Sequence, residues 1–466
     1  MSKSPNILYI LIDDLGWKDL SCYGSEFYET PNLDRLAGKG MRFTDAYAAC
    51  PVCSPTRASI MSGKYPARLG LTNYIHVGNP GQRDRARLID APYIPYLDTK
   101  ETSLASALQE NGYSTWHVGK WHMGEKEFWP DRHGFEVNIG GCDHGHPKNG
   151  YFSPWKIPNL EEGPEGEYLT DRLTDEAIRL VEGKDDRPFF LNLWYYTVHT
   201  PIQGKPELVA KYERKARALG LHKKKTFEEG EIHPKSESVN NRIRRRLIQS
   251  DPEYAAMVEC MDTNIGRLLQ AIEAKGEADN TIVVFTSDNG GLATAEGSPT
   301  SNAPLNEGKG WMYEGGTREP LIIHWPGVTE NNSFCREPVT SPDFYPTVLE
   351  MAGIEAMPDQ HCDGESLVPL LKGGNSLDRE AIYWHYPHYG NQGGTPGSSV
   401  RAGDWKLIEF YEDGRRELYN LREDIGETKD LSGSRPEVTE RLHGLLKNWR
   451  AEMEALEPEV NPDWKW

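Results

Sequence analysis

The chain has 466 residues, 37% of them hydrophobic and 10% aromatic, and carries 52 basic against 71 acidic side chains for a formal net charge of −19. That composition excludes a disordered chain, and the length allows a large core in two or three domains. The acidic balance excludes a general binder of nucleic acid or anionic membrane, so an anionic ligand would need a local cationic pocket.

The first predicted element is a strand, "NILYILI" (6–12), which ends in Asp13-Asp14. Its apolar run is too short for a signal-peptide core or a membrane span. A chain that begins here is expected in the cytoplasm; one that has lost a leader is expected in the periplasm or outside the cell. A helix is predicted from Thr30 to Lys39, opening on a favoured N-cap residue. The stretch "CPVCSPTRASIMSGKYPARLG" (50–70) then sets Cys53, Pro55 and Arg57 at alternate positions running into a helix start. Next come a helix from Thr102 to Asn111, the strand "STWHVG" (114–119) leading into Lys120-Trp121-His122, and a helix from Thr170 to Glu182. The run "PFFLNLWYY" (188–196) follows and leads to His199-Thr200-Pro201. Residues 211–246 read as an exposed, charge-rich insertion, or alternatively as a loop that contacts substrate. A long helix from Tyr254 to Lys275 precedes the strand "TIVVFTS" (281–287), which ends in Asp288-Asn289-Gly290-Gly291. After about residue 372 the texture changes. The segment "SSVRAGDWKLIEFYEDGRRELYNL" predicts short antiparallel strands turning at "EDG", and a closing helix is expected from about Pro436 to Ala455.

Strands alternating with amphipathic helices predict an α/β fold with one sheet covered on both faces. A smaller α+β domain is expected over 373–466, after a main domain over 1–372. Seven cysteines, an odd number without matched CxxC pairs, predict neither a disulfide framework nor a zinc site.

Ligands of open α/β sheets sit at the carboxyl ends of strands, where all four strong runs here place polar or ionisable residues. If Asp13, Asp14 and Asp288 converge to about 4 Å, each pair repels by about 4 kcal/mol at an effective dielectric of about 20. A divalent cation removes that penalty, and an oxygen-only set with Asn289 favours Ca²⁺, or Mg²⁺, over zinc. Taken singly, Arg57, Lys120 and Lys309 (in "NEGKGWMYEGG") read as surface cations, and Cys53 as a small buried hydrophobe. Gathered in a pocket with His122 and His199, the same residues would hold a tetrahedral oxyanion, with the helix start at Cys53 adding N–H donors and the histidines serving as acid and base.

The C-x-P-x-R stretch with its "SGK" tail, followed in order by "GKWHMG", "HTP", "SDNGG" and "GKG" and preceded by "IDDLGW", resembles the formylglycine-dependent sulfatases of the alkaline phosphatase superfamily, and most of all bacterial carbohydrate sulfatases. The resemblance implies an alkaline-phosphatase-like fold, a large mixed sheet between helices with a smaller C-terminal α+β unit. It also implies that a maturation enzyme oxidises Cys53 to formylglycine (3-oxoalanine), whose hydrate attacks sulfur and then eliminates sulfate. Arg57 would steady that residue, and Asp13, Asp14, Asp288 and Asn289 would ligate one Ca²⁺. Lys120 and Lys309 would hold sulfate oxygens, His122 would assist breakdown of the intermediate, and His199 would protonate the leaving oxygen. In "GGCDHGHPKNGYFSPW" and "YWHYPHYGNQGG", Asp143, His144, His146, His385 and His388 are candidates to bind a sulfated saccharide, of galactose or N-acetylgalactosamine type. The rival readings are an aryl sulfatase, a phosphonate monoester or phosphodiester hydrolase of the same superfamily, and a non-catalytic binder of sulfated sugars if Cys53 stays unmodified.

Overall fold

Alternate residues of a strand point to opposite faces, and in the Asn6–Ile12 strand both faces are covered. Leu8, Ile10 and Ile12 join one hydrophobic core, while Ile7, Tyr9 and Leu11 join another. That double burial is why the central strands read as unbroken apolar runs. The computed structural model describes residues 4–75, 86–235 and 240–464. Among these, the main sheet has nine strands. Its order runs Ser333–Cys335, Met41–Tyr47, Arg318–His324, Thr281–Ser287, Asn6–Ile12, Phe189–Trp194, Ser114–Gly119, Val137–Ile139, with Val339–Thr340 also pairing to Met41–Tyr47. The four strands read most clearly from the sequence lie side by side and parallel, so their carboxyl ends share one edge. Arg318–His324 runs antiparallel to both neighbours and makes the sheet mixed.

One face carries the helices Pro31–Lys39, Leu169–Glu182, Pro206–Ala218 and Pro252–Ala274; the other carries Cys53–Ser62, Leu104–Glu110 and Phe344–Ala352. Threonine side chains cap none of the predicted helices. Ser103 caps Leu104–Glu110, and Thr170 lies inside the first turn of its helix. Pro31–Lys39 is capped from a distance: Asp262, on the long helix, accepts from the N–H groups of Asn32 (3.1 Å) and Leu33 (2.8 Å). No helix among the described residues is long and apolar enough to cross a membrane. All seven cysteines are free thiols.

The described residues of the charge-rich 211–246 stretch are mostly exposed or half-buried, yet they form regular elements anchored by a few buried side chains. Tyr212, Ile243 and Arg246 are buried, and Phe227–Ile232 pairs with Arg242–Arg246 as an antiparallel hairpin. The C-terminal segment forms the expected antiparallel sheet, Ile382–Tyr386, Gly397–Ala402, Trp405–Phe410, Arg416–Asn420, with Gly414 in a left-handed turn at "EDG". Helix Pro436–Glu452 covers one face through Leu442, Leu446 and Trp449. The opposite face presents Ile382, Trp384 and Ile408 to Tyr47, Cys50 and Val52, just ahead of Cys53.

Candidate active site

Asp13, Asp14, Asp288 and Asn289 follow two adjacent parallel strands, and all four are buried. Lys120 Nζ donates to Asp13 Oδ2 (2.6 Å), Lys309 Nζ to Asp14 Oδ2 (2.8 Å), and Arg57 Nε to Asp288 Oδ2 (2.8 Å). Arg57 is a fork: a second guanidinium nitrogen reaches the Lys120 carbonyl (3.0 Å), tying two strand ends together. Burial, reinforced by Asp288 and Asp14, pushes the Asp13 carboxyl well above the usual range against the pull of Lys120. Asp14 is equally buried, but the Lys309 ammonium holds its carboxyl low. Asp13 Oδ1 and Asn289 Oδ1 are buried without a hydrogen-bond partner among the described residues. Such orphaned oxygens beside two further carboxylates are the donor set that a hard divalent cation takes.

The backbone here adopts conformations that other contacts must hold. Asp14 (φ 64°) and His122 (φ 58°) are left-handed, a concentration typical of functional sites. Gly119 allows the chain to turn toward Lys120: its φ is +106°, and a Cβ would lie 2.0 Å from the Trp194 carbonyl oxygen.

Cys53 is the first residue of helix Cys53–Ser62, a helix whose ten residues are all buried. Its Sγ lies 3.3 Å from His122 Nδ1, while His122 Nε2 lies 2.9 Å from the Ile75 carbonyl oxygen. A carbonyl only accepts, so Nε2 carries the proton and Nδ1 accepts from the thiol. Burial pushes the Cys53 thiol up, and burial with Lys120 holds His122 neutral.

Cys53, His122, His199 and Lys309 open onto a cavity of about 440 Å³, within the range of small-molecule sites. His199 Nδ1 donates to the Thr200 carbonyl oxygen (2.9 Å), and its Nε2 lies 3.6 Å from Asp14 Oδ2. Burial and Lys309 bring its pKa down to about 3. The cavity rim carries Asp143, His144 and His146, the last stacked on His199 with ring centroids 6.0 Å apart. His144 is buried, and its Nδ1 has no partner among the described residues.

Two expected substrate residues lie elsewhere. His385 is bonded to Ser398 Oγ (2.7 Å) and the Leu456 carbonyl oxygen (2.9 Å), and His388 to Thr72 Oγ1 (2.8 Å). Both are buried, His385 within the first strand of the C-terminal sheet and His388 just after it, and their stretch reaches the cavity through Asn391 and Gln392 instead. The cavity also takes Lys148, within the predicted substrate stretch but not singled out there, and Tyr74 and Glu296, which no motif marks.

A sulfatase family model matches residues 5–354, and a model of the C-terminal part of N-sulphoglucosamine sulphohydrolase matches 307–452. The chain belongs to the sulfatase family. This sulfatase is 33% identical to a sulfatase of Formosa agariphila, over 96% of this chain and 89% of the relative. It is 30% identical to human N-acetylgalactosamine-6-sulfatase, over 98% of this chain and 87% of that one. Among solved structures, Ps i-CgsB in complex with k-i-k-neocarrahexaose superposes with a TM-score of 0.75 at 28% identity, covering 96% of this sulfatase and 93% of that chain. The sulfatase is therefore a sulfuric ester hydrolase of the alkaline phosphatase superfamily.

Proposed function

We propose that this sulfatase removes sulfate from a saccharide of galactose or N-acetylgalactosamine type, using a formylglycine made from Cys53 and one Ca²⁺ held by Asp13, Asp14, Asp288 and Asn289. The observation that carries the reading is Cys53 at a helix N-terminus, on the floor of a cavity shared with Lys309, His122 and His199 and walled by polar side chains. The relatives named above include an N-acetylgalactosamine-6-sulfatase and a protein complexed with k-i-k-neocarrahexaose, which supports a sugar over a simple aryl sulfate.

The buried oxygens of the acidic cluster fit the cation, which when bound supplies Lewis-acid neutralisation of sulfate charge. Cys53 fits a precursor better than a nucleophile, because burial raises its thiol and a thiolate is the reactive form. Formylglycine supplies, as its hydrate, an oxygen nucleophile and a second hydroxyl for release. Cys53 is 3% exposed, so a maturation enzyme must reach it before the chain has folded. Lys309 and Lys120 hold sulfate oxygens through ammonium donors, and Arg57 fixes the floor by joining Asp288 to Lys120. His122, its Nε2–H committed to Ile75, keeps Nδ1 as a proton acceptor at residue 53. His199, with Nδ1 committed to Thr200, has Nε2 left to carry a proton to the leaving oxygen. A bound sulfate monoanion beside it offsets the cationic neighbour that keeps the ring neutral.

The test is sulfate release from defined monosulfated galactose and N-acetylgalactosamine saccharides. The protein should be shown by mass to have lost about 18 Da at Cys53, as replacement of SH and H by oxygen requires. Release from one or more sugars is expected. No release from any sugar by converted protein, or faster cleavage of a phosphodiester than of 4-nitrophenyl sulfate, would overturn the proposal.

A further inference from the structure

Glu296 joins three segments of the cavity wall. Its Oε2 accepts from Thr200 Oγ1 (3.0 Å), and its Oε1 accepts from Asn391 Nδ2 (2.9 Å) and Gln392 Nε2 (3.3 Å). Thr200 adjoins His199 in the main sheet's edge, whereas Asn391 and Gln392 belong to the first connection of the C-terminal sheet. All four residues line the cavity with Cys53 and Lys309. Among the described residues no cation lies within ion-pair distance of this carboxylate, so its hydrogen-bonding capacity goes to rim donors.

The turn that presents Glu296 is held in an unfavourable conformation. Glu296, Gly297 and Ser298 have φ of 51°, 90° and 46°, a left-handed run that two non-glycine residues adopt only under constraint. The constraint is the hairpin. Arg246 Nε donates to the Ser298 carbonyl, and Ser298 Oγ donates to the Arg244 carbonyl (3.1 Å). The same hairpin's tip segment holds the other side, with His233 Nε2 donating to the Asn391 carbonyl (3.2 Å) and Lys235 Nζ to the Tyr389 carbonyl (2.8 Å). The hairpin thus braces both the turn that carries Glu296 and the segment that carries its partners Asn391 and Gln392.

Its chemical consequence is orientation. An amide side chain can turn either its NH₂ or its oxygen toward a ligand. Here both NH₂ groups are bonded to Glu296; Asn391 Oδ1 on the exposed rim and the buried Gln392 Oε1 have no hydrogen-bond partner among the described residues. Asp143 also lines the cavity, and its carboxylate has no hydrogen-bond or ion-pair partner among the described residues, so the wall offers further acceptor oxygens. We propose that Glu296 is the specificity-determining positioning residue of the sulfatase: by locking both amides it fixes an acceptor edge that takes a hydroxyl or amide N–H of the sulfated sugar. The proposal rests on the carbohydrate reading above. A site that needs a donor from its substrate discriminates strongly against ligands lacking one, because its own buried or committed groups are then left unpaired.

The test compares formylglycine-bearing wild type, Glu296→Ala, Glu296→Gln, Asn391→Ala and the Glu296→Ala/Asn391→Ala pair. The substrates are 4-nitrophenyl sulfate, which has no sugar to read, and monosulfated galactose and N-acetylgalactosamine. Calorimetric binding of the same sugars to Cys53→Ala, with and without Glu296→Ala, gives a readout independent of turnover. Glu296→Ala is expected to raise KM for the sugar sulfates tenfold or more, to weaken sugar binding by a similar factor, and to lose at least tenfold more kcat/KM on sugars than on the aryl ester. Glu296→Gln, which keeps one acceptor oxygen, recovers part of the loss, and the double variant loses no more than the larger single one. Equal proportional losses on both substrate classes, or additive losses in the double variant, would make Glu296 a loop staple and overturn the proposal. If wild type cleaves 4-nitrophenyl sulfate but no sugar sulfate and Cys53→Ala binds none, the carbohydrate reading fails first and takes this one with it.

Discussion

Cys53 as a thiol would be poorly reactive: it is buried, its ionisation is disfavoured, and its one close partner is a neutral imidazole. On the proposed chemistry, Cys53→Ala should lower turnover by about a thousandfold or more while sulfated ligands still bind; near-normal rates would refute the nucleophile assignment. His199→Ala should cost about 10²–10⁴-fold on sugar sulfates and clearly less on 4-nitrophenyl sulfate, whose leaving oxygen needs little protonation. Equal losses would remove His199 from that role. The orphaned oxygens of Asp13 and Asn289 give a third expectation, read without activity. Ca²⁺ at about 100 Kd should stabilise chelator-treated protein by about 2.7 kcal/mol, and Asn289→Ala should shrink that response. A Tm that ignores Ca²⁺ in wild type would exclude the site. The acids were legible because each pair stands directly after an apolar run. The histidines were not equally legible: His144 and His385 look alike in sequence, and only packing separates the one at the cavity from the one bonded to Ser398 and Leu456.

The elements divide in the same way. Parallel strands buried on both faces announce themselves by continuous hydrophobicity, and the predicted bounds 6–12, 114–119 and 281–287 coincide with those observed. Helix starts were read from local threonines, but the first helix is capped from 230 residues away by Asp262, which serves two backbone N–H groups and the Asn32 side chain (2.7 Å). Asp262→Ala leaves those donors buried without an acceptor and should destabilise the protein by about 2 kcal/mol in denaturant unfolding. A change below about 0.5 kcal/mol would show that water replaces the cap. The hairpin was missed as structure because its strands are rich in exposed charges, which pair across the strands as Arg245 does with Glu231 (2.6 Å) and leave no apolar run to read.

At the scale of the molecule, the C-terminal sheet is bound to the catalytic half by buried charge. Lys406 Nζ lies between Glu314 Oε1 (2.9 Å) and Glu427 Oε1 (3.0 Å), with all three side chains wholly buried. Although burial opposes it, Lys406 with Arg318 and Arg401 holds Glu314 down to about 2. Burial, against the pull of the shared Lys406 and with repulsion from Glu314, pushes the Glu427 carboxyl up to about 8 from 4.5. A carboxyl whose pKa is higher folded than unfolded binds more protons in the folded state, so its contribution to stability falls as pH rises between those values. The Tm of wild type is expected to decline from about pH 4.5 to about 8 through this group, and Glu427→Gln should flatten that decline, since the amide still accepts from the Glu314 N–H. Parallel pH profiles for the two proteins would refute the assignment.

The sequence by itself determined the α/β class, the four central strands, the polar residues at their ends and the ordered motifs of the sulfatase family. These are local properties: burial on both faces imposes an apolar run, and a strand end that meets a charged ligand must break it with acids, amides or bases. Only the tertiary structure decided which side chains share the cavity, because Glu296, Thr200 and Asn391 meet from segments about 95 and 96 residues apart along the chain. No window of sequence contains such a meeting. It is fixed by the hairpin, the left-handed turn and the docking of the C-terminal sheet, which together bring three polar residues from separate segments within hydrogen-bond distance.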